Sequence, residues 1–482
     1  MEKLYVDKDA IIDKDKINEY VLKHSQSEEL SRLEKLENYF KNKNTYINNR
    51  GLATNNAYNN LVASGYARYI TNTINGYFIG KKDSISYVFP DSFESINIED
   101  LLRYNDEHSV NIKLGESMSI YGYAIEQLYV DSNAKLRFSN IDPKNVIILF
   151  EDNIDQDIHS VIKYRKTVLS EKYDDIVYNV EYYTKDKILL YKFKNNLLVP
   201  ESEEEIDNVF GDVPFIYYEN ANEVGDFETI ISLIDEYDKT ISNVSNMFDY
   251  FNDAYLCIFG AEFQEGISYD ENGNEIRTDP LVDMKRNKCF VLPENSKVEF
   301  LAKPNVTTDS INYLEIIRND IHKFSHCPDL TDKEFYTNSG IAIKYKLQSL
   351  EYIASIKESN FRKGLTRRFE IMSNFLNIKN QSFDFSKIEI VFSRNTIENL
   401  AEIYDAALKL RGVISDKSLL DSIPGINSEI ELERLEEQKL NNMEYFNNYN
   451  LNNTNNQVPD GNEEELDNEN DRWYFRISNR SI

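Results

Sequence analysis

The stretch SHCPDLTDKEFYTNSGIAIKYKLQSLEYIASIKESNFRKGLTRRFEIMSNFL, from Ser325 to Leu376, decides the fold. It begins as a polar loop without apolar periodicity, and after Gly340 it predicts one long α-helix. No proline interrupts this helix, and Gly364 is the glycine inside it. Its apolar residues recur at steps of three, four or seven, as one buried helical face requires; they are Ile343, Leu347, Leu350, Ala354, Phe361, Leu365, Phe369, Met372 and Leu376.

The predicted helix, from Gly340 to about Asn377, would be roughly 57 Å long and typical of a spine or a coiled coil. Seven basic residues exclude a membrane span; they are Lys344, Lys346, Lys357, Arg362, Lys363, Arg367 and Arg368. Against three glutamates they give this stretch a net charge of +4. The basic residues could be a solvated face, partners of the acidic helix over 226–253, or direct contacts to DNA.

A second pattern starts at Phe227, where apolar residues alternate steps of three and four over about three and a half heptads. It predicts either a coiled-coil seam or an ordinary buried helix. The stem-packing residues predicted from it are Phe227, Ile230, Ile234, Tyr237, Ile241, Val244, Phe248 and Phe251.

The rest of the chain predicts an α+β fold. Ser25 to Glu28 has the pattern of a capping box, and a helix is expected over 56–74. Short strands are predicted over 124–130, 135–141, 146–150, 160–166, 177–183 and 188–193. Asn272-Gly273 indicates a hairpin in a strand-rich excursion, with further strands over 289–292 and 297–301. A returning helix over 309–325 would point Ile311, Leu314, Ile317, Ile321 and Phe324 inward, and a strand over 387–392 precedes helices over 397–409, 417–422 and 428–440.

Several short stretches resemble the portal proteins of tailed bacteriophages, in the branch typical of phages of Gram-positive hosts. The matches keep the family's order over roughly residues 35 to 440. They are Tyr69-Ile70, Gly76–Gly80, Val213–Phe215 with Asn220 and Gly225–Phe227, Leu330–Phe335, Asn338–Ala342, and Gly412–Ser415 followed by Glu431 to Glu437.

The resemblance implies a non-enzymatic ring, usually a dodecamer, at one vertex of the capsid. Double-stranded DNA would enter and leave through its central channel. The implied partners are further copies of the chain, the terminase large subunit, a head-completion or adaptor protein, and the major capsid and scaffolding proteins. The implied location is the virion, with the host cytoplasm during assembly.

The resemblance also divides the chain. The implied parts are a wing over 1–225, a stem helix over 226–256, a clip over 257–307, a second stem helix over 308–327, a tunnel loop over 328–339, a spine helix and wing strand over 340–395, crown helices over 396–440 and a disordered acidic Asn-rich tail over 441–482. The loop residues expected to face DNA are Asp329, Leu330, Thr331, Asp332, Lys333, Glu334, Phe335, Tyr336, Thr337, Asn338 and Ser339.

The amino-acid composition limits the functions and locations that the chain can have. The 482 residues include 83 acidic and 54 basic side chains, for a net charge of -29, so the surface repels DNA on average unless basic residues cluster. Three separated cysteines suit free thiols in a reducing compartment. The charged N-terminus lacks the apolar run of a signal peptide, and no stretch is apolar enough to span a membrane.

No motif predicts catalysis, a metal or another cofactor. Gly76 to Lys82 is one residue short between its glycines for a phosphate-binding loop, which disfavours an ATP-driven packaging motor. His322 and His326 have zinc-ligand spacing on a helix, but no further ligands complete a site, so two helical histidines near a helix end are the better interpretation. The alternative to a portal is a coiled-coil assembly or scaffold protein without a DNA channel.

Overall fold

The structure is a computed structural model. It describes residues 3–49, 59–90, 98–168, 176–194, 197–199, 203–252, 255–259, 266–269, 273–278, 295, 297–301, 307–331, 343, 345–378, 384–395, 400–421, 423, 428 and 430–440. The chain divides into one unit over Met1–Thr396 and a second over Ile397–Ile482.

The helices confirm the predicted mixture of α and β structure. They are α1 (Lys14–Ser25), α2 (Glu28–Phe40), α3 (Thr45–Asn48), α4 (Tyr66–Ile79), α5 (Ile98–Tyr104), α6 (Glu107–Tyr121), α7 (Ile231–Asn252), α8 (Thr307–Phe324), α9 (Gln348–Ile378), α10 (Leu400–Leu410) and α11 (Asp416–Asp421). Short 3₁₀ turns occupy Pro143–Asn145, Ala221–Glu223, Glu228–Ile230 and Phe385–Lys387.

Two predictions near the N-terminus are wrong in detail. Ser25 ends α1, which the sequence did not predict, and the N-cap of α2 is Ser27, whose hydroxyl accepts the Leu30 amide. The residue three positions after Ser27 is leucine, so the side-chain half of a capping box is missing. Helix α4 begins at Tyr66 rather than near residue 56, and it continues through Gly76 to Ile79. Gly76 thus lies inside the helix, where its low helix propensity weakens the helix without ending it.

The larger sheet has the order β1-β5-β6-β7-β8-β10, with β9 paired to β8. Each neighbouring pair is antiparallel except β1 with β5, so most of the sheet is a meander. Its strands are β1 (Leu4–Val6), β5 (Val146–Glu151), β6 (Ile158–Val168), β7 (Ile176–Tyr183), β8 (Lys187–Lys194), β9 (Leu197–Leu198) and β10 (Glu204–Asp207).

The remaining sheets are small. A three-stranded sheet has the order β11-β3-β4, and three ladders pair β2 with β16, β12 with β15, and β13 with β14. These strands are β2 (Ile85–Val88), β3 (Tyr123–Val130), β4 (Leu136–Ile141), β11 (Phe215–Glu219), β12 (Tyr255–Phe259), β13 (Gly266–Tyr269), β14 (Glu275–Thr278), β15 (Lys297–Leu301) and β16 (Glu389–Phe392). The predicted hairpin at Gly273 is confirmed by the β13–β14 ladder, and the predicted strand over 289–292 lies outside the described residues.

Helix α9 is the spine on which the first unit is built. Every predicted core position from Leu350 to Leu376 is buried, against α4, β11 and the strand β16. Its start differs from the prediction: Ile343, Tyr345 and Lys346 are helical, Leu347 forms a turn, and the continuous helix begins at Gln348. Residues 340–342 lie outside the described part of the chain.

A close contact explains why position 364 of α9 is a glycine. A Cβ atom at this position would lie 2.2 Å from Cε1 of Tyr218, which is itself fully buried on β11. The absent side chain therefore lets the spine helix pass directly over the Tyr218 ring.

The second unit is helical where it is described. Helices α10 and α11 match the predicted helices over 397–409 and 417–422 within three residues, and residues 428 and 430–440 are also helical. Between α10 and α11 the chain turns at Gly412, whose φ of 82° lies in the left-handed region that favours glycine.

Candidate stem and channel site

Helices α7 and α8 form an antiparallel pair. They pack against each other, and the β12–β15 ladder joins their far ends in antiparallel register from Tyr255 and Leu301. The sequence predicted this arrangement from two helices that bracket a strand-rich insert. The pair is the geometry expected of a stalk with a strand-containing tip.

The apolar seam of this pair is covered at one end and exposed at the other. Phe227, Ile230 and Ile234 are buried, whereas the side chain of Phe248, about one turn before the end of α7, is 56% exposed. Between them Tyr237, Ile241 and Val244 are half-buried, and the side chain of Phe251 lies outside the description. The single chain therefore covers only the first half of the predicted seam.

Helix α8 is also covered only in part. Ile317 and Ile321 are buried as predicted, and Leu314 is half-buried. The prediction that Ile311 and Phe324 face inward is wrong for the single chain, because these side chains are 55% and 53% exposed. Their spacing satisfied helical periodicity, but periodicity does not say whether the covering surface belongs to the same chain.

A polar row on α7, which the sequence reasoning missed, binds the extended segment 60–64. The backbone N–H groups of Ser64 and Val62 donate to Asp238 Oδ1 and Ser242 Oγ, both over 2.9 Å. The Asn60 N–H donates to Asn246 Oδ1 over 2.6 Å, and the Asn60 side chain binds Asp249. Two residues of an extended segment span about 6.8 Å, and four residues of a helix span about 6 Å. Every second residue of the segment can therefore meet every fourth residue of α7.

Asp238 and Ser242 are both buried, and Asp238 carries the buried charge of this row. Its second carboxylate oxygen accepts from Asn44 Nδ2 over 2.8 Å. Burial raises the pKa of the Asp238 carboxyl, and the hydrogen bonds from Ser64 and Asn44 offset only part of that rise. The available signal in the sequence was the recurrence of short polar side chains at every fourth position, Asp238, Ser242 and Asn246.

The two histidines do not form the predicted helical pair. Helix α8 ends at Phe324, and His326 follows it with a φ of 56°, in the left-handed region. His322 Nδ1 is hydrogen-bonded to the carbonyl oxygen of Cys327 over 2.9 Å. Among the described residues no group of three or more metal-binding side chains comes together.

The structure describes only the first residues of the predicted tunnel loop. Asp329, Leu330 and Thr331 are placed, and residues 332–339 lie outside the described ranges. The Thr331 amide and hydroxyl both donate to Asp329 Oδ1, over 2.9 and 2.6 Å. Burial raises the pKa of the Asp329 carboxyl, but these bonds and the nearby His322 and Arg318 outweigh it and lower the pKa overall.

Most basic residues of the spine helix have acidic partners within the first unit. Lys357 is buried, with its Nζ 2.9 Å from Asp226 Oδ2, which confirms the predicted pairing with the acidic 226–253 segment. Arg367 pairs with Asp212 and Glu370. Arg362 pairs with Glu358 over 2.6 Å. These three side chains are therefore explained by internal ion pairs rather than by DNA contact, and Lys344 lies outside the described residues.

Arg368 forms the most buried of these networks. Its side chain is 0% exposed, and it binds Glu126 through Nε over 2.9 Å and through Nη2 over 2.8 Å. Nη2 also donates to Asn111 Oδ1 over 2.8 Å, and Tyr218 donates to Glu126 over 2.7 Å. Burial lowers the pKa of the guanidinium, but the surrounding groups, Glu126 first, hold it well above its usual value. A two-point contact of this kind fixes the rotation of the spine helix against β3.

Residues 20–445 match the family described as "Phage portal protein, SPP1 Gp6-like". The chain belongs to this portal family. A similar portal protein is that of Clostridium phage phiCD119, which is 23% identical over 441 residues, covering 86% of this chain and 94% of the relative.

Solved structures similar to this portal protein come from gene transfer agent particles. One is described as the neck of an empty particle computed with C6 symmetry, with a TM-score of 0.41, 11% identity, and coverage of 74% of this chain and 89% of the other. A second is the virion of a native particle, with a TM-score of 0.40, 10% identity, and coverage of 83% and 94%.

The family assignment confirms the resemblance on which the sequence analysis relied, including its branch: the phiCD119 relative infects a Clostridium host. The α+β portal fold and the portal function are likewise confirmed, and the family is a structural one. In the part of the chain that the structure describes, no helix combines the length and apolarity that crossing a membrane requires.

Proposed function

We propose that this portal protein closes into a ring at one capsid vertex, and that DNA is packaged and ejected through the channel of that ring. The observation that supports this proposal is the partly covered apolar seam of α7 and α8, on which Phe248, Ile311 and Phe324 are exposed. In a ring each subunit uses one surface to contact a different surface of its neighbour, so apolar side chains left exposed on one chain can be buried by the next.

The parts of the subunit follow from this proposal. The sheet-rich region up to residue 225 is the wing, α7 and α8 are the stem, and the strands β12 to β15 belong to the clip. The segment from Asp329 to Ser339 is the tunnel loop that faces DNA, α9 is the spine, and α10 and α11 belong to the crown. The acidic segment over 441–482 is the tail.

The partners also follow from the proposal. The clip contacts the terminase large subunit during packaging and a head-completion or adaptor protein afterwards. The outer parts of the ring contact the major capsid and scaffolding proteins. The chain itself performs no catalysis, so the free energy for packaging comes from the terminase. The ring assembles in the host cytoplasm and stays in the virion.

The decisive experiment is the mass and shape of the purified protein. We expect native mass spectrometry to report a single closed oligomer, usually a dodecamer in this family, and electron microscopy to reveal a central hole. A monomer at micromolar concentration in near-physiological salt would overturn the proposal. A dimer or filament would instead support a coiled-coil scaffold protein without a channel.

A second experiment tests whether the predicted tunnel loop faces DNA. Its described part is held by Asp329 rather than by basic groups, and a loop that gripped phosphates would need lysine and arginine. Changing Asp329, Asp332 and Glu334 to lysine should leave rings intact and slow or stall packaging, because new cations would bind the passing phosphates. Packaging at an unchanged rate would contradict the assignment of this loop to the channel.

A further inference from the structure

The turn between α8 and the predicted tunnel loop is bridged by one hydroxyl group from α4. Tyr69 Oη donates to the carbonyl oxygen of Pro328 over 3.0 Å and accepts the N–H of Leu330 over 3.0 Å. These two backbone groups lie on either side of Asp329 and belong to neither a helix nor a strand. Without the hydroxyl, the Leu330 N–H would lose this acceptor, and the Pro328 carbonyl would keep the weak contact from Cys327 Sγ over 3.9 Å.

Two more elements hold the same turn. His322 on α8 is bonded to the Cys327 carbonyl, and since a carbonyl only accepts, Nδ1 carries the proton. The other ring nitrogen, Nε2, lies 3.7 Å from Asp329 Oδ2. Ser349 on α9 donates to the His326 carbonyl over 3.2 Å. The wing, the stem and the spine therefore meet at the point where the chain leaves α8.

The aromatic surroundings provide a matched control. The rings of Tyr66 and Tyr69 both pack edge-on against His322, with centroids 5.9 and 5.8 Å away. Tyr66 also packs against Tyr237 of α7 at 5.1 Å, and its hydroxyl is hydrogen-bonded to the Tyr237 side chain. The two tyrosines thus share an environment and differ in what their hydroxyl groups bind: a side chain of α7 for Tyr66 and the backbone of the turn for Tyr69.

We propose that Tyr69 is a positioning residue for DNA passage: its hydroxyl fixes the point from which the tunnel loop leaves the stem. The proposal rests on the proposed function, because it requires that the chain after Thr331 faces DNA. Removing the hydroxyl would leave the ring of Tyr69 packed against His322 and would release the loop base from α4.

The test compares Tyr69→Phe with Tyr66→Phe in the full-length protein. In Tyr69→Phe we expect hydrogen exchange at the Leu330 amide to accelerate about tenfold, because the amide loses its acceptor, while α4 amides keep their rates. Tyr66→Phe should leave the Leu330 amide unchanged. In a phage that carries each variant, DNA-filled capsids should fall several-fold for Tyr69→Phe alone, with ring mass unchanged in both.

The outcomes separate the two proposals. Equal exchange at Leu330 in all three proteins would overturn the anchor itself. Faster exchange with normal DNA filling would overturn the positioning role and leave the proposed function standing. A wild-type protein that forms no ring would overturn the proposed function and this inference with it.

Discussion

Helix α9 and the α7–α8 pair bury their apolar faces in different ways. Along α9 every predicted core position is buried by the same chain, and even Arg368 is 0% exposed. Along α7 the same kind of periodicity ends in Phe248, which is 56% exposed. Of two equally regular patterns, the one on α9 is thus completed within the chain, whereas the one on α7 and α8 is left partly exposed.

The burial of α9 within its own chain is tested most directly at its buried charge, Arg368. Arg368→Met leaves Glu126 buried without its cation, so we expect a loss of about 3–5 kcal/mol in the free energy of unfolding. Urea unfolding of the purified protein measures it. Arg434→Met is the matched control, because its pair with Glu431 is exposed and should change stability by less than about 1 kcal/mol. Equal effects of the two substitutions would contradict a self-contained spine.

The close approach of α9 to β11 gives the next largest effect. In Gly364→Ala the added methyl group would meet the buried Tyr218 ring, and we expect a loss of about 1–3 kcal/mol. Gly76→Ala is the opposite case: this glycine is also inside a helix, but nothing lies within 4 Å of its added Cβ. That change should stabilise by about 0.5–1 kcal/mol, so thermal unfolding of the pair should shift in opposite directions.

The contact between His24 on α1 and Tyr164 on β6 offers a pH-dependent test. Burial lowers the pKa of His24, which is bonded to Tyr164 Oη over 2.8 Å, from 6.5 to about 4. Between these two pH values the unfolded chain binds a proton that the folded chain does not. The contribution of His24 to the free energy of unfolding is therefore complete above pH 6.5 and is lost as the pH falls towards 4.

Acidification from pH 7 to pH 5 should therefore cost the wild type up to about 2 kcal/mol more than His24→Gln. Denaturant titrations of both proteins at several pH values give this difference. An identical pH slope for the two would show that His24 takes up its proton in the folded protein as easily as in the unfolded chain.

The exposed seam of α7 predicts the smallest effect on the stability of the single chain and, if the proposed ring forms, a large effect on assembly. Phe248→Ala should change the free energy of unfolding of the subunit by less than about 0.5 kcal/mol, because the ring is exposed. Ile234→Ala, buried in the same helix, should cost about 2–5 kcal/mol. If Phe248→Ala leaves the oligomer intact by native mass spectrometry, the exposed seam is not an interface between subunits.

The sequence predicted those features that depend on periodicity. The helical stripe from Leu350 to Leu376 and the strands β3 to β8 were identified because apolar alternation is local information. The start of α4 was misplaced, since polar asparagines before Tyr66 offered no contrary signal. The hydroxyl of Tyr69 and the polar row on α7 were missed because they depend on contacts between residues far apart in sequence, such as Asp238 and Ser64.

The polar row on α7 also constrains the length of the chain. Alternate N–H groups at residues 60, 62 and 64 point to one side of the extended segment. Their acceptors on α7 are Asn246, Ser242 and Asp238 in that order, each four residues earlier in the helix than the one before. One residue inserted within this segment would reverse the side to which the following N–H groups point. In related sequences, insertions and deletions should therefore be rare between the positions of Asn60 and Ser64, whatever side chains stand at positions 61 and 63.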